Sequence, residues 1–113
     1  MKDVNYEYQR ALHMIEMKYY DDANRLLERI KDESLDAYIE LAFSYDTGRG
    51  VKKDQERAAN MYKAKLDTNH PRLLSNLAAY YAEDDLLENS FEKAEEYYLK
   101  ALKQNYGKVY VTL

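Results

Sequence analysis

The sequence predicts an all-α protein, a right-handed α-α superhelix (solenoid) of about three antiparallel helical hairpins followed by a short C-terminal segment. Three observations predict it. The 113 residues include one proline and three glycines, too few helix breakers for the frequent turns of a sheet protein. Apolar residues recur at helical spacing along most of the chain, the mark of amphipathic helices. And one hairpin is written twice: Leu41, Ala42, Tyr45, Ala58, Tyr62 and Leu66 reappear as Leu77, Ala78, Tyr81, Ala94, Tyr98 and Leu102, each 36 residues later (77 − 41 = 36). A fixed period of this length marks a repeat array, whose units bury their apolar faces by stacking on neighbours. The whole chain, 1–113, reads as a single repeat domain, because this length supports one core and not two.

The first hairpin occupies about residues 3–32. Asp3 is placed to cap a helix whose stripe is Val4, Tyr8, Ala11 and Ile15 and which ends near Lys18. Tyr19 to Asp22 reads as a tight corner, and Ala23, Leu26, Leu27 and Ile30 form the stripe of a second helix. So short a connection makes the two helices antiparallel.

The second hairpin, about 34–67, opens with Ser34 as cap and Asp36 in the first turn, where a negative charge favours the positive end of the helix dipole. Its first stripe is Leu35, Tyr38, Ala42 and Tyr45, and Thr47-Gly48-Arg49-Gly50 ends it, glycine supplying the positive φ that closes a helix. Asp54 then caps a helix with the stripe Ala58, Met61, Tyr62 and Leu66.

The third hairpin, about 70–105, begins with Pro71 at the first helical position, where the missing N–H is not needed. Leu74, Leu77, Ala78 and Tyr81 form its first stripe; Asn89 and Glu92 have the form of a capping box before Ala94, Tyr97, Tyr98, Ala101 and Leu102. The remainder, 106–113, reads as a capping tail in which Val109 to Leu113 begins a fourth unit. Its apolar side chains are expected to fold back over the helix from about Phe91 to Asn105, or to pair with another copy.

The repeat's logic lies in its small residues. Ala11, Ala42 and Ala78 mark close approach by the first helix of each hairpin, and Ala23, Ala58 and Ala94 do so for the second. A larger side chain at such a crossing overpacks it, at a cost of about 1–3 kcal/mol.

The pattern Leu41-Ala42-x-x-Tyr45, Gly48-x-Gly50-Val51-x-x-Asp54 and Ala58-x-x-x-Tyr62 resembles the Sel-one-like repeat family, a relative of the tetratricopeptide repeat. Thr47-Gly48-Arg49-Gly50-Val51 is similar to that family's lengthened loop between helices. The first hairpin fits the shorter tetratricopeptide spacing through Ala11, Met14, Tyr20, Ala23 and Leu27, and the third replaces the glycines with Glu83-Asp84-Asp85-Leu86-Leu87. The resemblance implies a non-enzymatic protein–protein interaction module, an adaptor or scaffold that takes a partner protein on the concave face of its first helices. Carried over by position, that face comprises Asn5, Tyr8, Leu12 and Ile15, then Asp36, Ile39 and Phe43, then Arg72, Ser75 and Ala79. Leu12, Ile39 and Phe43 lie off the packing stripes, so their apolar character belongs either to a partner groove or to a core buried on two sides. The Lys and Asn set by which some tetratricopeptide domains clamp a terminal carboxylate is absent from these positions.

The remaining features narrow the function. A net charge of −4 argues against nucleic acid, which selects a basic field, and leaves room for a basic protein partner. No apolar run is long enough for a membrane span, no secretion signal opens the chain, and cysteine is absent; the cytoplasm is the expected compartment. Asp46-Thr47-Gly48 matches the aspartic-protease tripeptide, but that chemistry needs a second carboxylate sharing a proton. His13 and His70 are isolated, Gly48-Arg49-Gly50 lacks the spacing of a phosphate loop, and Asp84, Asp85 and Glu88 lack the alternation of a calcium loop. Lys52 and Lys53 are too few for a nucleic-acid patch. No cofactor, metal or catalytic residue is expected. The alternative within binding is a small dedicated inhibitor or immunity protein, an acidic surface that blocks one basic toxin or enzyme.

Overall fold

The computed structural model describes residues 3–83 and 90–110, the side chains of 105–110 excepted. The described residues form six α-helices, with no strand: α1 (Val4–Glu16), α2 (Tyr20–Ile30), α3 (Leu35–Thr47), α4 (Gln55–Ala64), α5 (Pro71–Glu83) and α6 (Ser90–Tyr110). A 3-10 turn, Leu66–Thr68, separates α4 from α5. The chain divides into two compact units, Met1–Ala58 and Ala59–Leu113.

In the first unit α1 packs on α2 and α2 on α3. Asp3 caps α1 by accepting from the Asn5 and Tyr6 amides, and Ser34 caps α3 by accepting from the Ala37 amide. The corner between α1 and α2 lies earlier than the sequence places it. Lys18 adopts φ +68°, and α2 begins at Tyr20, so Asp21 and Asp22 are first-turn helical residues that complement the dipole. The core of the unit is Ala11, Ala23, Leu26, Leu27, Ile30, Ala37, Ile39, Leu41 and Ala42.

Gly48, at φ +74°, closes α3 with its amide on the Ser44 carbonyl. Gly50 is also left-handed, at φ +72°. The loop then returns, the Asp54 amide donating to the Tyr45 carbonyl over 2.7 Å, and Asp54 caps α4 through the Arg57 amide.

In the second unit α5 packs on α6, over a core of Ala59, Tyr62, Leu73, Leu74, Leu77, Ala78, Tyr81, Tyr97 and Ala101. Pro71 is the first residue of α5, and His70 caps it by accepting the Arg72 amide on Nδ1. Leu66 stands in the 3-10 turn, not in the stripe of α4, which ends at Ala64. The last helix is longer than its stripe implies. Val109 and Tyr110 belong to α6 and so do not fold back over it as a separate tail. The proposed capping box at Asn89, the acidic corner Asp84, Asp85 and Glu88, and 111–113 lie outside the described residues.

The 36-residue register holds in burial for two of the three first-helix pairs, Tyr45 being half-buried where Tyr81 is buried, and breaks in the second helices. Leu41 and Leu77 are both buried, as are Ala42 and Ala78. Tyr62 on α4 is 1% exposed, whereas its counterpart Tyr98 on α6 is 50% exposed. Neighbouring Tyr97 takes the inward position instead, its ring 5.9 Å from that of Tyr81. The sequence stripe Ala94, Tyr97, Tyr98, Ala101 and Leu102 therefore splits. Tyr97 and Ala101 face the core, while Tyr98 and Leu102 remain open.

Candidate functional site

The split stripe of α6 builds one wall of a groove. Phe91, Ala94, Tyr98 and Leu99 line that side, and Ser75, Ala78, Ala79 and Ala82 line the other from α5. Ser75, Ala79 and Ala82 recur at i, i+4 and i+7, one face of a helix. Their small side chains leave a trough, while the rings of Phe91 and Tyr98 stand above it. The groove encloses about 800 Å³. Phe91 is 71% and Leu99 55% exposed, a concentration of large apolar groups that a solvated helix face does not need. Glu95 supplies the charge in the lining.

The ten residues that the sequence assigns to a partner face divide by environment. Ser75 and Ala79 are exposed and lie in the groove. Arg72, also on α5, is half-buried at its N-terminus. On α1, Asn5 is exposed, while Tyr8, Leu12 and Ile15 are half-buried. On α3, Asp36 is exposed and Phe43 half-buried. Ile39 is 1% exposed: of the two readings open to it, this side chain belongs to the core, because α3 buries that side as well as its alanine-marked seam.

Sequence reasoning missed two features. One is the open face of α6, since the match to Tyr62 puts Tyr98 on the apolar stripe. The other is a buried polar lock in the first unit. Arg49 Nη2 donates to Glu40 Oε1 over 2.8 Å and to Ser44 Oγ over 3.1 Å. Its Nε also donates to Ser44 Oγ, and the guanidinium lies 5.3 Å from the centre of the Phe43 ring. From α2, Asn24 Nδ2 donates to the Arg49 carbonyl over 2.7 Å. These bonds fix the glycine loop to α2 and α3. The available signal was Glu40 itself, a charge inside the apolar run Ile39 to Ala42, which a buried site tolerates only with a partner. Phe43 is thereby engaged by Arg49, which limits its freedom as a partner anchor.

The residues weighed for catalysis or metal binding have local roles. Asp46 accepts from Gln55 Nε2, and the Thr47 hydroxyl donates to the Phe43 carbonyl. Among the described residues, no three His, Asp or Glu side chains come together in a group able to hold a metal ion. Nor is any described helix long and apolar enough to cross a membrane. In the second unit, Lys63 lies 5.5 Å over the Tyr81 ring. Its ammonium is held above the usual lysine pKa, chiefly by a hydrogen bond with the Tyr81 hydroxyl. Comparison with protein-family models finds no match to this chain, and comparison with curated proteins finds none either.

Proposed function

We propose that this chain is a non-enzymatic protein–protein interaction module, built as a right-handed superhelix of hairpins related to the Sel-one-like repeat. The observation that carries the reading is the α5–α6 groove. An apolar trough floored by small residues and walled by an aromatic pair suits an amphipathic helix laid along it, a recurrent mode of peptide recognition. The matched burial of Leu41 with Leu77 and of Ala42 with Ala78 supports the repeat reading, and the exposure of Ser75 and Ala79 in the same trough is consistent with their use by a partner.

The test is quantitative capture of partner protein from source cells by wild type and by three variants. Tyr98→Ala and Ala79→Glu are expected to lose capture while melting at the wild-type temperature, because both side chains are exposed. An aromatic anchor truncated at an interface commonly costs about 2 kcal/mol or more. Tyr8→Ala, on α1, reports whether the partner also reaches the first hairpin. Undiminished capture by Tyr98→Ala and Ala79→Glu would remove the groove from the function.

A further inference from the structure

A buried side-chain amide is costly unless both its nitrogen and its oxygen find partners, and Asn24 on α2 meets that requirement by half. It is 7% exposed. Its Nδ2 donates to the Arg49 carbonyl over 2.7 Å, while its Oδ1, buried as well, accepts no hydrogen bond. Turning the amide over would set the oxygen against the Arg49 carbonyl. The donor is therefore held on the glycine loop, and the acceptor is left over.

Asn24 lines a cleft of about 270 Å³ formed by α2, α3 and the glycine loop. Leu41 and Tyr45 of α3 and Val51 of the loop give it apolar walls, and Asp21, Arg25 and Glu28 of α2 give it a charged rim. That volume is below the roughly 300–1,000 Å³ of small-molecule sites and suits a single side chain. Asp21, Asn24 and Glu28 recur at i, i+3 and i+7, so three oxygen-bearing side chains share one face of the helix. Two of the rim charges already have partners: Arg25 lies 3.7 Å from Asp22, and Glu28 lies 3.1 Å from Lys31. The exposed Asp21 carboxylate has none among the described residues.

The lining thus combines a buried acceptor, an uncompensated carboxylate and an apolar wall. An ammonium on an aliphatic stem answers all three, with N–H donors for Asn24 Oδ1, charge for Asp21 and methylenes against Tyr45 and Val51. A neutral donor would leave Asp21 unused, and an anion would meet a carboxylate and an acceptor. A guanidinium brings five donors in one plane, more than this lining can accept. We propose that the cleft takes a lysine side chain of a basic partner protein, its ammonium donating to Asn24 Oδ1 with Asp21 as the counter-charge. The site lies within the first unit and does not depend on the α5–α6 groove.

The experiment is an NMR titration of the isotope-labelled full chain at constant ionic strength. Three probes are compared: Nα-acetyl-lysine N-methylamide, the same molecule acetylated on Nε, and the norleucine analogue, which keeps the stem without the ammonium. The lysine probe is expected to shift the Asn24 Cγ and Nδ2 resonances and the Gly50 and Val51 amides, with a dissociation constant in the millimolar range. The other two are expected to shift none of these at the same concentration. Asp21→Asn is expected to weaken binding of the lysine probe about threefold. Glu56→Gln makes the same change of charge on α4, outside the cleft, and is expected to leave binding unchanged. Both residues are exposed, and amide spectra confirm that the variants are folded; the comparison of probes on wild type stands without either. Asn24 resonances that stay in place under the lysine probe overturn the inference. So do equal shifts from the norleucine analogue, or an Asp21→Asn variant that binds the lysine probe like wild type.

Discussion

Two glycines of nearly equal φ allow the loop geometry to be tested against itself. Gly48 and Gly50 have φ +74° and +72°, so alanine pays a similar backbone penalty at each, about 1–2 kcal/mol. They differ in space. A Cβ at Gly48 would meet Lys53 Cβ at 3.1 Å, a contact relieved by a shift of a few tenths of an ångström in the exposed loop segment at Lys53. A Cβ at Gly50 would stand 2.6 Å from Tyr20 Cβ and 2.9 Å from Asn24 Nδ2. Relief there must move the loop away from α2, which strains packing by about 1–3 kcal/mol and weakens the Asn24 bond to the Arg49 carbonyl, a further loss of about 1 kcal/mol. Gly50→Ala is therefore expected to destabilise by roughly 4 kcal/mol and Gly48→Ala by roughly 1.5. At about 4 °C per kcal/mol for a chain of this size, the two melts separate by roughly 10 °C. Thermal and urea unfolding followed by circular dichroism measures both. Equal losses at the two positions would refute the claim that the loop is held against α2 at contact distance.

Arg49→Met is expected to cost about 3 kcal/mol, because it strands the Glu40 carboxylate at 7% exposure without its ion pair. Adding Glu40→Gln should recover part of that loss in urea unfolding, since the pair and not the arginine alone is what the site requires. Ala42→Leu is expected to lose about 1–3 kcal/mol through overpacking of a fully buried position. Ala79→Leu, on the exposed side of α5, should leave the melting temperature nearly unchanged.

The helices were legible because their signals are local. Asp3, Ser34, Asp54 and Pro71 mark the helix starts, and Gly48 ends α3; caps and left-handed stops act within a few residues of the chain. The corner at Lys18 escapes a sequence reading because lysine carries no turn signal, although its φ is +68°. The site was less legible for a different reason. A period of 36 residues equates Tyr98 with Tyr62, but burial depends on what lies against each ring, and period alone does not carry that. Tyr97 and Tyr98 are adjacent tyrosines roughly 100° apart on one helix, and only the position of Tyr81 decides which turns inward. Arg49 and Glu40 are nine residues apart across a helix end, a spacing to which no helical or strand periodicity points.

The central claim is that the open face of α6 is a recognition surface, and site-specific photo-crosslinking tests it most directly. A photoreactive phenylalanine analogue replaces Tyr98 in one variant and Glu56, an exposed residue of α4, in another. Both are irradiated in source cells, and the adducts are mapped by mass spectrometry. The prediction is a discrete adduct from position 98, joined to a single helical segment of its partner, and none from position 56. Equal, scattered adducts from both positions, or none from position 98, would contradict it.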